Sequence, residues 1–264
     1  MAVARDIELK SGRWRAVIAP ERGGRLRWLG ELGSGGREPW LRPMLSERGQ
    51  LVGGGAVRLL PPSEVAEDVA HLVPDPDSFD ETWRATYQTV DELTLTLYPC
   101  SPAPGSWGFQ ASQTLRLDEH RLDWSLSVRN LGRMPMPARL GWVLNFPDDF
   151  AGAAWLDETL DVVKLSGRER SEQRDPWCGI ASLSGAGGRI VLLRGERPID
   201  TLCFERHPTR ASVRMRLMTP DTPRLVPLPR GEELTLRLSI DLLAPKTPLL
   251  PRAPVGHPSG SVIL

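Results

Sequence analysis

Glu205 and His207 are the two residues of this sequence whose types and spacing best suit proton transfer. They end the alternating run Leu202-Cys203-Phe204-Glu205-Arg206-His207. Successive side chains of an extended strand point to opposite faces, so Glu205 and His207 share one face. A carboxylate and an imidazole can accept and donate protons near neutral pH. The spacing places both side chains on one strand face, which makes Glu205 and His207 the candidate catalytic pair.

The remaining candidate ligands lack the spacing of a metal or cofactor site. The four histidines are His71, His120, His207 and His257. No two of them stand two or four residues apart, and no cysteines form a Cys-x-x-Cys pair, so we expect no metal. An acidic group comprises Asp75, Asp77, Asp80 and Glu81. Pro76 interrupts it and the glycine of a calcium loop is missing, which favours a solvated loop. No phosphate-loop motif is present, so we expect no cofactor.

The elements that must position these residues are short strands. Between Arg121 and Arg129 apolar and polar residues alternate, and Glu233 to Asp241 repeats the pattern. Seven further runs are short and bounded by Pro, Gly, Asp or Asn, as in sandwiches and barrels. Only the segments Ser63–Leu72 and Trp155–Val163 look helical. The sequence therefore predicts an all-β fold, a large antiparallel β-sandwich with few short helices.

Composition limits the number of domains and the class of binding partner that the chain can have. The 264 residues include 33 Lys+Arg and 33 Asp+Glu, a balance that argues against nucleic acid and favours an uncharged or weakly charged ligand. No window approaches the length of an apolar membrane span, and three distant cysteines suit a reducing compartment, so we expect a cytoplasmic protein with no membrane contact. We predict one β-sandwich domain over residues 1–244 and a Pro-rich C-terminal tail over 245–264.

Several segments, taken in order, resemble the galactose mutarotase-like superfamily, whose best-known members are aldose 1-epimerases. Near the start, Pro20-Glu21-Arg22-Gly23-Gly24 resembles the family's Pro-x-x-Gly-Gly turn. Mid-chain, Asn130-Leu131-Gly132-Arg133-Met134-Pro135-Met136-Pro137 and Leu140-Gly141-Trp142 resemble its Asn-x-Gly-x-x-Pro-Met-Pro and Gly-Trp/Phe-His signatures. Further matches are Asp175-Pro176-Trp177-Cys178, Leu202-Cys203-Phe204-Glu205 and Leu228-Pro229-Arg230-Gly231-Glu232. The resemblance spans about residues 15 to 243 and implies a β-sandwich with a sugar site on an open face.

The resemblance also implies roles for particular residues. Glu205 matches the family's base, Asp175 its hydroxyl-binding aspartate, and Arg58 its sugar-contacting arginine. Trp142 and Trp177 stand beside motif positions, where an indole face could stack on a sugar ring. We therefore expect a saccharide partner and a substrate-binding set of Arg58, Asp175, Trp142 and Trp177.

Two family positions are changed in this chain, and the changes leave more than one function open. Val143 stands where the family carries its signature histidine, and no histidine lies near 75–81, where the second is expected. The first hypothesis is an aldose 1-epimerase-like isomerase of carbohydrate metabolism that interconverts the anomers of a free aldose, with Glu205 as general base. The alternative is a catalytically silent sugar-binding protein on the same fold. A carboxylate-pair hydrolase or lyase is a third class.

Overall fold

The computed structural model describes eleven stretches of the chain, and the fold is given for these alone. They are residues 6–33, 36–47, 50–60, 79–98, 108–137, 139–150, 153–156, 162–164, 170–207, 212–221 and 223–243. The predicted helix over 63–72 and the predicted tail over 245–264 lie outside the described residues. Within the described part, no helix is long and apolar enough to cross a membrane.

The described residues form β-strands joined by turns and short 3₁₀ segments. The strands in chain order are β1 (Ile7–Ser11), β2 (Trp14–Ala19), β3 (Arg25–Gly33), β4 (Gly36–Pro39), β5 (Leu45–Glu47), β6 (Gln50–Val52), β7 (Gly55–Leu60), β8 (Arg84–Gln88), β9 (Glu92–Leu97), β10 (Phe109–Asp118), β11 (Arg121–Asn130), β12 (Arg139–Pro147), β13 (Ala153–Trp155), β14 (Val162–Lys164), β15 (Arg170–Arg174), β16 (Ile180–Ser184), β17 (Ile190–Gly195), β18 (Thr201–His207), β19 (Ser212–Met218) and β20 (Glu233–Leu243). The 3₁₀ segments are Pro20–Arg22, Asp148–Phe150 and Ala186–Gly188.

Two large antiparallel sheets contain most of the described strands. The first sheet has the order β1-β2-β3-β7-β12-β19-β18-β15, with β4 paired to β3. The second sheet has the order β14-β13-β16-β17-β20-β11-β10-β9-β8, and β5 pairs with β6 separately. The predicted all-β sandwich is therefore confirmed. The helix predicted over Trp155–Val163 is wrong at both described ends, because Trp155 closes β13, which pairs antiparallel with β14.

The core lies between the two sheets and is built from the apolar residues that alternate along each strand. On β11 the side chains of Leu122, Trp124, Leu126 and Val128 are all buried. On the facing sheet Trp142 and Leu144 of β12 are buried in the same way. The rings of Trp124 and Trp142 meet edge to face with centroids 6.3 Å apart, which ties the centres of the two sheets together.

A close approach between β12 and β19 requires glycine at position 141. A Cβ atom built on Gly141 would lie 1.9 Å from the carbonyl oxygen of Leu217 and 2.8 Å from the Cα of Met218. No side chain can occupy that space, so any other residue would push the two central strands of the first sheet apart. This pairing sets the register of the strands that carry the candidate site.

Candidate functional site

The face of the first sheet that points away from the second sheet carries polar side chains across four neighbouring strands. Strand alternation and register place on this open face Arg58 of β7, Val143 and Asn145 of β12, Arg214 and Arg216 of β19, and Cys203 and Glu205 of β18. The residues between them, such as Val57, Leu144, Met215 and Phe204, are buried in the core. We call this set the open face.

Glu205 lies at the centre of an ion-pair cluster on the open face. Its Oε1 accepts a hydrogen bond from Nη2 of Arg216, and its Oε2 lies 3.8 Å from Nη1 of Arg214. Arg214 in turn donates from Nε to Oδ1 of Asn145 at 3.3 Å. Glu205 is largely shielded from solvent, and its carboxylate is held between the two arginines.

Cys203 lies two residues before Glu205 on the same face and directly opposite Arg216. Burial raises the pKa of the Cys203 thiol, while the nearby charges of Arg216 and Arg139 lower it in part. The thiol therefore keeps its proton at neutral pH. A proton-bearing group thus stands beside the Glu205 carboxylate.

Val143 lies on the open face beside the Glu205 cluster. Its register partners are Ala56 on β7 and Arg216 on β19. The spacing of strands and residues in a sheet puts its Cα about 12 Å from that of Glu205. The isopropyl group cannot donate a proton, so this position supplies no acid.

Arg58 takes part in a second ion-pair cluster at the other side of the open face. Nη1 of Arg58 and Nη2 of Arg25 donate to the same oxygen, Oδ1 of Asp80, at 2.9 Å and 2.8 Å. The Cα of Arg58 is about 20 Å from that of Glu205 by strand spacing, so the two residues belong to separate clusters. We call this group the Asp80 cluster.

Asp175 lies beyond the end of β15 and away from both clusters. It forms an ion pair with Nη2 of Arg224, whose Nη1 donates to Oδ2 of Asp200 at 2.8 Å. Burial raises the pKa of the Asp200 carboxyl, and the nearby charge of Arg197 lowers it in part. The structure therefore places Asp175 in an ion-pair chain at the sheet end and does not bring it to Glu205.

The backbone of His207 closes β18 opposite Ser212, and its side chain lies outside what the structure describes. The pairing of Glu205 with His207 therefore stays a prediction. Among the described residues, no group of three or more His, Cys, Asp and Glu side chains is arranged to hold a metal ion.

Trp142 and Trp177 are core residues, which corrects the prediction that they stack on a ligand. Trp142 is fully buried against Trp124 between the sheets. Trp177 is almost fully buried, and its Nε1 donates to the carbonyl oxygens of Leu156 at 2.8 Å and Ile180 at 3.0 Å. Neither ring offers a face to a sugar, because each is enclosed by the residues it packs against.

Sequence reasoning missed four charged residues of the two clusters. These are Arg25, Asp80, Arg214 and Arg216. The alternation in Ser212-Val213-Arg214-Met215-Arg216-Leu217 does put both arginines on one polar strand face, so this part of the signal was present in the sequence. No sequence pattern indicated that Asp80 pairs with Arg25 and Arg58, because these partners lie 55 and 22 residues away in the chain.

Comparison with solved structures identifies the fold. A galactose mutarotase-like protein from Lactobacillus casei superposes with a TM-score of 0.71 at 14% identity, over 90% of this chain and 100% of its own. A proposed aldose 1-epimerase from Escherichia coli K12 gives 0.63 at 17%, over 91% of this chain and 99% of its own. A 4-alpha-glucanotransferase from Thermococcus litoralis gives 0.58 at 12%, over 90% of this chain but 37% of its own.

The chain therefore has the galactose mutarotase-like fold, as the ordered motifs predicted. No family model matches the sequence, and no curated protein matches it. At identities between 12% and 17%, the likeness to these three structures establishes the shared architecture. What the site does has to be argued from its own residues.

Proposed function

We propose that this protein binds a saccharide on the open face of the first sheet. The observation that carries the proposal is the Glu205 cluster: a largely shielded carboxylate, two guanidinium groups and the Asn145 amide converge on one face of the sheet. Such a set offers several donors and acceptors for hydroxyl groups, which is how a polyhydroxylated ligand is oriented. Solved proteins with this fold include a proposed aldose 1-epimerase and a galactose mutarotase-like protein, which supports the same ligand class.

Anomer interconversion is the reaction that Glu205 could perform on such a ligand. Glu205 would take the proton of the C1 hydroxyl while a second group protonates the ring oxygen. The bond between C1 and the ring oxygen then breaks, the C1 carbonyl rotates, and the reverse steps close the ring on the other face. Since Val143 has no proton to give, we assign the donor role to Cys203, which shares the face and keeps its proton.

Binding without turnover is the second candidate function, and the geometry around Glu205 favours it. Both oxygens of the Glu205 carboxylate already have arginine partners, so a substrate hydroxyl must compete with these arginines for the carboxylate. The missing acid at Val143 would cost on the order of 10²- to 10⁴-fold in rate. The unpaired thiols of Cys178 and Cys203 suit a reducing compartment, and we place either activity in the cytoplasm.

Calorimetry and polarimetry on one protein preparation separate the two functions. Titration with a panel of mono- and disaccharides measures binding, and the decay of optical rotation of fresh α-glucose and α-galactose measures interconversion. We expect at least one saccharide to bind, and Glu205→Gln to weaken that binding. Glu196→Gln, in an exposed ion pair with Arg237, is the matched control and keeps wild-type affinity. Absence of binding across the panel would overturn the proposal.

A polarimetric rate above buffer then decides between the two candidates. If Glu205 acts as base, Glu205→Gln reduces that rate to the buffer value while Glu196→Gln does not. A saccharide that binds without any change in its anomerisation rate establishes the silent function.

A further inference from the structure

The Asp80 cluster places two positive charges on one carboxylate oxygen. Arg25 of β3 and Arg58 of β7 both donate to Oδ1 of Asp80, at 2.8 Å and 2.9 Å. Counted over these three described residues, the cluster carries a net charge of +1. Such a charge is stable only where water, a second protein carboxylate or a ligand anion neutralises it.

Water has little access to the two arginines of this cluster. The side chains of Arg25 and Arg58 are 8% and 22% exposed. Nε of Arg25 is buried and has no hydrogen-bond partner in the described part of the chain. An unpartnered, buried guanidinium nitrogen leaves an unused donor inside the cluster.

A similar cluster on the second sheet shows what solvent exposure changes. Arg121 and Arg194 both pair with Asp241, so this group also has two guanidinium groups on one carboxylate. Their side chains are 40% and 45% exposed, so water can hydrate their excess charge. The arginines of the Asp80 cluster are less exposed than these.

The turn that precedes β3 holds the Asp80 cluster in place. Gly23 and Gly24 have positive φ angles of 73° and 59°, and a Cβ on Gly23 would lie 2.8 Å from the carbonyl oxygen of Phe79. The segment from Phe79 to Trp83 can therefore pack directly on the turn, where the backbone N–H of Trp83 donates to the carbonyl of Pro20 at 3.0 Å. Asp80 and both arginines are thus fixed before a ligand arrives, which lowers the entropic cost of binding.

We propose that the Asp80 cluster binds the anionic group of an acidic saccharide, either a sugar carboxylate or a sugar phosphate. The inference rests on the proposed saccharide site, because Arg58 lies on the same open face as Glu205. Planar guanidinium groups bind carboxylate and phosphate oxygens through paired, charge-assisted hydrogen bonds. The Cα atoms of Arg58 and Glu205 are about 20 Å apart, so an acidic monosaccharide held at Arg58 lies on the open face toward Glu205 without bridging the two clusters.

Calorimetric titration with matched ligands tests the inference. The series is glucose, glucuronate, glucose 6-phosphate, glucose 1-phosphate and inorganic phosphate. We expect at least one acidic sugar to bind about tenfold or more tightly than glucose, and more tightly than inorganic phosphate. Preference for glucuronate over the phosphates, or the reverse, identifies the anion. We expect Arg58→Gln to abolish the preference and Arg121→Gln, in the exposed cluster, to retain it.

The outcomes separate this inference from the proposed function. Neutral and acidic sugars binding equally well overturn the inference and leave the saccharide site intact, whereas no sugar binding at all overturns both. Inorganic phosphate binding as tightly as any acidic sugar overturns the inference, because the sugar is then not recognised. If Arg58→Gln does not fold, Asp80→Asn and added salt replace it. Asp80→Asn is expected to strengthen the preference for acidic sugars over glucose, and added salt is expected to weaken it. A preference that neither change alters contradicts the proposal.

Discussion

Val143 lies directly opposite Arg216 on the open face, where β12 pairs with β19. The side chain of Arg216 donates a hydrogen bond to the carboxylate of Glu205. The position at which the superfamily resemblance places an acid therefore carries an isopropyl group, and the nearest cation is already bound to the candidate base. In the proposed reaction, the side chain at position 143 therefore supplies no proton to complement Glu205.

Restoring an imidazole at Val143 is expected to increase the anomerisation rate. Val143→His would place a proton donor beside Arg216 and on the same face as Glu205, and a general acid contributes on the order of 10²- to 10⁴-fold. Because the positive charge of Arg216 disfavours the imidazolium form, we expect a smaller gain, about tenfold, and larger at pH 6 than at pH 8. Polarimetry measures it. The double variant with Glu205→Gln should show no gain, and equal rates for Val143→His and wild type contradict the base assignment.

Removing the charge of Glu205 is expected to destabilise the fold. Glu205→Gln keeps the size of the side chain but withdraws the carboxylate that accepts from Arg216 and faces Arg214. Loss of such partly buried, charge-assisted contacts costs about 1–3 kcal/mol of unfolding free energy. Urea unfolding measures the difference. Glu196→Gln, at an exposed pair, is expected to leave the midpoint almost unchanged, and equal effects of both variants would contradict the shielded cluster.

The two tryptophans that meet between the sheets are expected to respond differently to replacement by Phe. Nε1 of Trp124 donates to Oε1 of Gln113 at 2.9 Å, whereas the buried Nε1 of Trp142 has no partner among the described residues. Trp124→Phe therefore leaves a buried acceptor unpaired, while Trp142→Phe removes an unpaired donor. We expect Trp124→Phe to lower the free energy of unfolding by about 1–2 kcal/mol more than Trp142→Phe does. Urea unfolding tests this, and a larger cost for Trp142→Phe contradicts it.

The strands could be predicted from the sequence where one face is buried and the other is polar. The alternation over Arg121 to Arg129 predicted β11, which spans Arg121–Asn130, because a half-buried strand repeats every two residues. The alternation over Glu233 to Asp241 predicted β20 in the same way. Strand 201–207 also placed Cys203 and Glu205 on one face, as the structure has them.

Other features required the tertiary structure. Apolar residues flank Trp142 on β12, in Trp142-Val143-Leu144, so the alternation does not show which side faces the core, and the predicted stacking role was wrong. The Asp80 cluster joins residues 25, 58 and 80, which meet only when the Gly23-Gly24 turn packs on the segment that carries Asp80. Composition predicted a neutral or weakly charged ligand from a net charge of zero, but it could not show that arginines concentrate on one face.

Cys203 and Cys178 are expected to differ in reactivity, and the difference reports on the open face. Burial raises the pKa of the Cys203 thiol, whereas Cys178 is exposed. Because the thiolate is the reactive form, iodoacetamide at pH 7.5 should alkylate Cys178 first. The alkylation rate at Cys203 should continue to increase above the pH at which an unperturbed thiol is fully ionised. The reason is that its raised pKa keeps the thiol protonated to higher pH. Mass spectrometry of peptides measures both rates in one sample.

A bound saccharide turns the same measurement into a map of the site. Cys203 lies two residues from Glu205 on the open face, so a ligand that contacts Glu205 should also cover this thiol. We expect a saturating saccharide to slow alkylation of Cys203 severalfold and to leave Cys178 unchanged, which makes Cys178 the internal control. Equal slowing at both cysteines would indicate a general loss of accessibility. Unchanged alkylation of Cys203 with a saccharide demonstrably bound would place the ligand elsewhere on the protein, because a ligand at Glu205 cannot leave the adjacent thiol exposed.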